Sequence, residues 1–193
     1  MAYQNPSVPI PPNPVFLDKA LGELQQVLST NVGWLSYVFG RSYTKVEMRS
    51  GYELRVPMVY KGSAEYLPVQ FNDNLQAQSF FEVGDEVLEG DYDQFILNFY
   101  KINVGLIVWA NLKKIDSAKG NNYYFAEQLK QDVRHALRDA HLLYSDLTIT
   151  RVEENVDSVF SKYNFEQVEK QYFSYPYAGF RFNFDLVISE ECI

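Results

Sequence analysis

The stretch Tyr175-Pro176-Tyr177-Ala178-Gly179-Phe180-Arg181-Phe182-Asn183-Phe184-Asp185-Leu186-Val187-Ile188 decides the fold class. Phe180, Phe182, Phe184 and Leu186 fall on one face, and Arg181, Asn183 and Asp185 on the other, which is the period of a half-buried strand. Left at an exposed edge, such an aromatic strand would template aggregation, so it must pair inside a sheet. The body of the protein is therefore expected to be β-rich.

The rest of the chain supplies partners for that strand. Trp34 to Phe39, Tyr43 to Met48, Tyr52 to Tyr60 and Glu65 to Phe71 read as strands, with Ser50-Gly51 and Lys61-Gly62-Ser63 at hairpin distances. Pro57 and Pro68 cannot donate to a ladder and mark edges or bulges. A run from Leu75 to Leu88 is broken by Gly84-Asp85. Gln94 to Lys101 and Val104 to Leu112 follow, the second carrying Leu106-Ile107-Val108-Trp109, whose continuity predicts a central strand covered on both faces. Leu147 to Val152 is a short alternating strand, and Glu153 to Tyr172 reads equally as helix or irregular structure.

Two amphipathic helices interrupt the strands. Asn13-Pro14 has the form of a helix start, followed by Leu17, Leu21, Leu24 and Leu28 at helical spacing. Phe125, Leu129, Val133, Ala136 and Leu137 mark the second, expected to cover the sheet. Helix, antiparallel strands, helix and strands give an α+β class: a mostly antiparallel sheet covered by two amphipathic helices. Residues 1–13 hold Pro6, Pro9, Pro11 and Pro12 and form a stiff extended arm, and residues 14–193 form one domain. The arm is either a frayed tail or, through Val8, Ile10 and Val15, a strap across a neighbouring subunit.

Composition limits function. The 25 acidic against 17 basic residues give a net charge of −8, which opposes unassisted binding to nucleic-acid phosphates or anionic membranes. The lone Cys192 makes no internal disulfide. The opening Met1-Ala2-Tyr3-Gln4-Asn5-Pro6 lacks the basic region and apolar core of a signal peptide, and Val104 to Ala110 is too short to cross a bilayer. A soluble protein not secreted by the general route is expected.

Chemistry is sparse. His135 and His141, six apart, do not align on one helical face as a metal pair. No phosphate loop follows Gly33 or Gly40, and no serine sits in a nucleophile elbow. Glu82, Asp85, Glu86, Glu89, Asp91 and Asp93 lack EF-hand spacing, and are read as a solvated or field-forming acidic face rather than a calcium site. Neither an enzyme nor a cofactor is expected. Tyr3, Tyr123, Tyr124, Tyr172, Tyr175 and Tyr177 suit protein contact, with sugar stacking as the other reading.

Taken together, the Leu-rich helix Phe16 to Leu28, the β middle, the Gly105-Leu106-Ile107-Val108-Trp109 strand, the helix Phe125 to Leu137 and the late Pro176-Tyr177-Ala178-Gly179-Phe180-Arg181-Phe182 strand resemble the tail-completion, or tail-terminator, neck proteins of tailed bacteriophages. The resemblance is one of layout, over roughly residues 15 to 190. The aromatic, Asn-rich and Tyr-rich style is similar to structural proteins of phages of Bacteroidetes, including the crAss-like group. The family implies a virion protein assembled in the host cytoplasm, a ring of commonly six or twelve copies at the portal–tail junction. It would contact neighbouring portal, neck or tail proteins, and DNA would pass through it without specific binding. Subunit contacts are then expected at Tyr3, Val8, Ile10, Pro11, Pro12, Tyr175 and Tyr177, with Asp85, Glu86, Glu89, Asp91 and Asp93 as the acidic face. From a different class, a monomeric glycan- or peptide-binding module using the Tyr-rich surface is the alternative.

Overall fold

A computed structural model of the chain describes residues 6–49, 51–71, 73–91, 98–143, 145–164 and 169–189. Its centre is a seven-stranded sheet built from β1 (Tyr37–Arg49), β2 (Tyr52–Gly62), β3 (Glu65–Pro68), β4 (Ala77–Asp91), β5 (Asn98–Asn111), β6 (Ser145–Glu153) and β7 (Tyr177–Ser189). The order across the sheet is β3-β2-β1-β4-β5-β7-β6, with every neighbouring pair antiparallel except β1 and β4. The fold is α+β.

The aromatic strand β7 is paired on both sides. It runs against β5 from Asn111↔Tyr177 to Phe99↔Ser189 without a register shift, and against β6 from Glu153↔Arg181 to Ser145↔Ile188. Phe180, Phe182, Phe184, Leu186 and Ile188 enter the larger core with Leu106, Val108 and Phe81. Helices α1 (Leu17–Asn31) and α3 (Phe125–Arg138) cover this face, α1 beside β1, α3 beside β6, and each against the other. Trp34 Nε1 donates to Asp132 Oδ2 at 3.0 Å and ties the loop after α1 to α3. A single turn α2 (Leu112–Ile115) and a 3-10 turn at Lys119–Asn121 lead from β5 into α3.

The opposite face carries a second core, which accounts for the described part of the stretch the sequence leaves undecided; residues 165–168 lie outside the described residues. Phe39, Val59, Phe80, Ile107 and Trp109 project from the sheet and are covered by Val69, Phe71, Val159, Phe160 and Tyr163. The cover is the linker after β3 together with α4 (Val156–Val159) and a 3-10 turn at Glu169–Phe173. Asn155 caps α4 by accepting from Asp157 N at 3.0 Å. Phe71 sits edge-on to Trp109, Phe160 and Phe173 at 5.6, 5.6 and 5.2 Å, the favoured aromatic geometry. β5 is thus buried on both faces, Leu106 in one core and Ile107 in the other.

Local signals are displaced in three places. Helix α1 begins at Leu17, not at Pro14, because Asn13 takes a left-handed φ of 53° and turns the chain instead of capping it. Phe16 follows with φ 46°, a conformation held by its ring packing edge-on to Tyr100 at 5.5 Å. The expected break at Gly84-Asp85 is a bulge: the register slips between Val83↔Val104 and Glu86↔Ile102, and the strand continues. Pro57 lies in β2, inside the sheet, but its carbonyl accepts from Val69 N beyond the end of β3. Its missing donor therefore points where no partner strand runs.

The proline-rich segment lies on its own chain. Ser7 bridges Tyr37, donating to Ser36 O and accepting from Val38 N, both at 2.9 Å. Val8 packs on the larger core, and Pro9 O accepts from Gln25 Nε2 at 3.1 Å. Ile10 reaches to 3.9 Å of where a side chain on Gly22 would begin. Deleting residues 1–12 strips Val8 and Ile10 from these positions. We expect the unfolding free energy to fall by about 2–3 kcal/mol in urea denaturation, with the chain still folding cooperatively.

Candidate assembly surface and its buried anchor

Strands β1 and β4 run side by side only from Tyr37↔Gln78 to Arg41↔Phe81. Beyond that point β1 continues with β2, and β4 with β5, so two hairpins leave the same end of the sheet and diverge. Among the described residues, several apolar side chains on their outer parts are exposed. Val46, Met48 and Tyr52 on the first hairpin are 57%, 70% and 75% exposed, and Val87 and Leu88 on the second are 60% and 55% exposed. Exposed apolar side chains on projecting elements offer contact surface, although Tyr124, Leu143 and Val15 are exposed elsewhere. Charged residues alternate with them. Glu47 pairs with Lys45 and Arg49 at 2.8 Å each, and those hydrogen bonds hold its carboxyl below the usual range.

Residues 162–164 fill the fork between the hairpins. Ser42 Oγ donates to Phe81 O at 2.9 Å, leaving Tyr163 Oη to donate to Ser42 Oγ at 2.9 Å. Burial pushes the Tyr163 hydroxyl up to about 12. Asn164 takes over the edge of β2 past the end of β3. Its Nδ2 donates to Glu53 O at 2.6 Å, its backbone N donates to Arg55 O at 3.2 Å, and its Oδ1 accepts from Arg55 N. A bare strand edge is thereby capped within the chain.

Below the fork sits a buried ion pair. Arg181 Nη2 donates to Glu82 Oε1 at 2.7 Å, with both side chains under a tenth exposed. The guanidinium crosses β5 over Gly105, where an added Cβ would lie 2.5 Å from it, so only glycine leaves the lane open. Lys162 Nζ reaches the same Glu82 oxygen at 3.2 Å. Arg181 Nε donates to Asn183 Oδ1 at 2.7 Å, and Asn183 Nδ2 donates to Glu153 Oε2 at 3.0 Å. The chain of contacts runs from β4 across β5 and β7 to β6, and Lys162 hangs the fork plug on it.

The residues singled out in the sequence scatter over this body. Asp85 and Glu86 are exposed on the second hairpin, and Glu89 and Asp91 belong to the same strand β4. Glu82 is no part of a solvated face, because Arg181 draws it inward. Asp93 and Tyr3 lie outside the described residues. Val8, Ile10 and Pro11 are half-buried and Pro12 exposed, in the docked segment. Tyr175 is 47% exposed, under Lys113 Nζ at 5.3 Å, and its hydroxyl donates to Gly120 O at 3.2 Å. Tyr177 stacks on Trp109 at 5.4 Å and donates to Asp73. Burial, then Asp73, push its hydroxyl up to about 12. His135 Nδ1 lies 3.1 Å from Arg138 Nη2 on the exposed side of α3. Among the described residues no three His, Cys, Asp or Glu side chains gather as a metal site, and no helix is long and apolar enough to cross a membrane.

The sequence reading passed over Val46, Met48, Tyr52, Val87 and Leu88. Val46 and Met48 alternate as in any half-buried strand, Val87 and Leu88 are neighbours, and nothing local says that the covering layer stops short of them. No protein-family model matches the chain, and no curated protein matches it in sequence.

Two outcomes test the anchor. Glu82→Leu alone strands a buried guanidinium and is expected to cost about 3 kcal/mol in urea denaturation. Adding Arg181→Met is expected to recover most of that loss, and strictly additive losses would contradict the pairing. Separately, the Tyr163 hydroxyl is harder to ionise folded than unfolded. Stability is then full below the unfolded value near 10 and falls as pH rises towards 12, by up to about 3 kcal/mol. Tyr163→Phe is expected to flatten that decline in denaturant titrations between these pH values.

Proposed function

We propose that this chain is a non-enzymatic structural subunit that associates with copies of itself into a closed ring. The ring is of the kind found at the neck or tail of the tailed phages it resembles. The observation that carries the reading is the pair of diverging hairpins with five exposed apolar side chains. Left bare, such a surface invites non-specific association; placed against another copy it gives a contact with apolar anchors inside a charged rim. Contacts between unlike surfaces close into rings when the rotation between copies permits.

Charge supports the same reading. Each copy brings −8, and Asp85 and Glu86 stand exposed on the second hairpin. A ring of such subunits repels DNA phosphates, so a genome can pass through without adhering. The partners are then further copies of the chain and the portal, neck or tail rings above and below, in the virion. Tyr175, exposed at the opposite end of the sheet, is available for a second contact.

Light scattering over a concentration series, with negative-stain images of the largest species, tests this directly. Closed rings of one copy number are expected. Met48→Lys combined with Leu88→Lys is expected to leave the circular dichroism spectrum unchanged and to shift the mass to that of a monomer. A wild-type monomer at millimolar concentration would overturn self-assembly. Rings indifferent to both substitutions would remove the hairpins from the interface.

A further inference from the structure

On the second sheet face, near the end away from the hairpin tips, a cavity of about 300 Å³ opens between the docked N-terminal segment and the linker after β3. Its floor is aromatic. Tyr37 and Phe39, two apart on β1, stack with ring centroids 5.3 Å apart and planes 5° from parallel. Phe39 is buried beneath, while Tyr37 keeps 36% of its surface open. Lys61, on the same face of neighbouring β2, holds Nζ 5.7 Å from the Phe39 ring centroid. Buried Gln78 closes the base, its Nε2 fixed on Gln70 O at 2.7 Å.

Three features make this a built site rather than a packing gap. First, Lys61 has no carboxylate partner among the described residues, although acidic residues outnumber basic ones 25 to 17. Lys45, Lys101, Lys130, Lys162 and Arg181 each hold one, while Lys113 stands over the Tyr175 ring instead. Second, burial lowers the ammonium's pKa, so the cation is already partly stripped of water and gains from an incoming anion. Third, the wall is rigid: Ser7 is hydrogen-bonded to the backbone at Ser36 and Val38, and Pro9 to Gln25.

The donor set selects the anion. A phosphate site gathers several backbone N–H groups or an arginine fork, whereas here a single ammonium faces a flat aromatic platform. One charge beside a stacking surface, in a volume at the low end for small-molecule sites, fits one ring bearing one carboxylate. We propose that this cavity binds a small aromatic monocarboxylate, its carboxylate on Lys61 Nζ and its ring on the Tyr37–Phe39 stack. The site stands independently of the assembly reading.

The test uses the full chain, with phenylacetate as probe and uncharged phenylacetamide as its isostere, both followed by NMR titration of the aromatic resonances. Saturable phenylacetate binding is expected, at least ten-fold tighter than phenylacetamide. Lys61→Met, which keeps the aliphatic stem over Phe39, is expected to abolish that ten-fold preference, and Lys61→Arg to retain it. No saturation by tens of millimolar phenylacetate would overturn the proposal. So would equal binding of acid and amide, or an unaltered preference in Lys61→Met. Should Lys61→Met fail to fold, the acid–amide comparison on the wild-type chain decides alone.

Discussion

Strand β7 carries an apolar face that must be covered and, on the opposite face, a buried Arg181 that must be paired, and the rest of the structure follows from how both are arranged. On one face its phenylalanines pack under α1 and α3, an apolar burial needing nothing but volume. On the other, Arg181 stands inside a seven-stranded sheet, where an unpaired guanidinium is prohibitively unfavourable. The partner comes from two strands away, Glu82 on β4, and the intervening β5 yields space by having Gly105 at the crossing. Register, glycine and ion pair are therefore one device. A slip of one residue in either pairing would carry Arg181 to the apolar face.

A consequence is that the sheet has a polar lane above an apolar plug. Below Arg181, Trp109 meets Phe71, which in turn packs on Phe160. Above it the open sheet carries the Asn103–Asp185 contact at 3.1 Å and the Lys101–Asp185 pair at 3.0 Å. Where β1 and β4 part, Tyr163 and Asn164 bind one hairpin while Lys162 binds Glu82 at the root of the other. The two hairpins are thus held at their roots, and farther out Val46, Met48, Tyr52, Val87 and Leu88 are exposed. The proposed ring would use these ends as its contact surface.

The alternation around Phe180–Leu186, the two leucine- and valine-marked helices and the continuity of Leu106–Trp109 were legible because each is a local period matched to one element. Asn13-Pro14 misled because its helix-start signal is equally a turn signal, and the packing of Phe16 on Tyr100 chose between them. The stretch from Glu153 to Tyr172 was illegible for another reason. Val159, Phe160 and Tyr163 follow neither period, since they fill an irregular plug shaped by the sheet beneath.

By itself, the sequence determined the α+β class, the central strand, both long helices and the acidic balance, because periodicity and charge are properties of short stretches and of the whole. Tertiary structure alone decided which charges are buried, where the proline segment rests and which apolar side chains stay bare. Glu82 and Arg181 lie 99 residues apart, as Ser42 and Tyr163 lie 121 apart. Contacts at such separation follow from strand order, and no local pattern encodes the place where a covering layer ends.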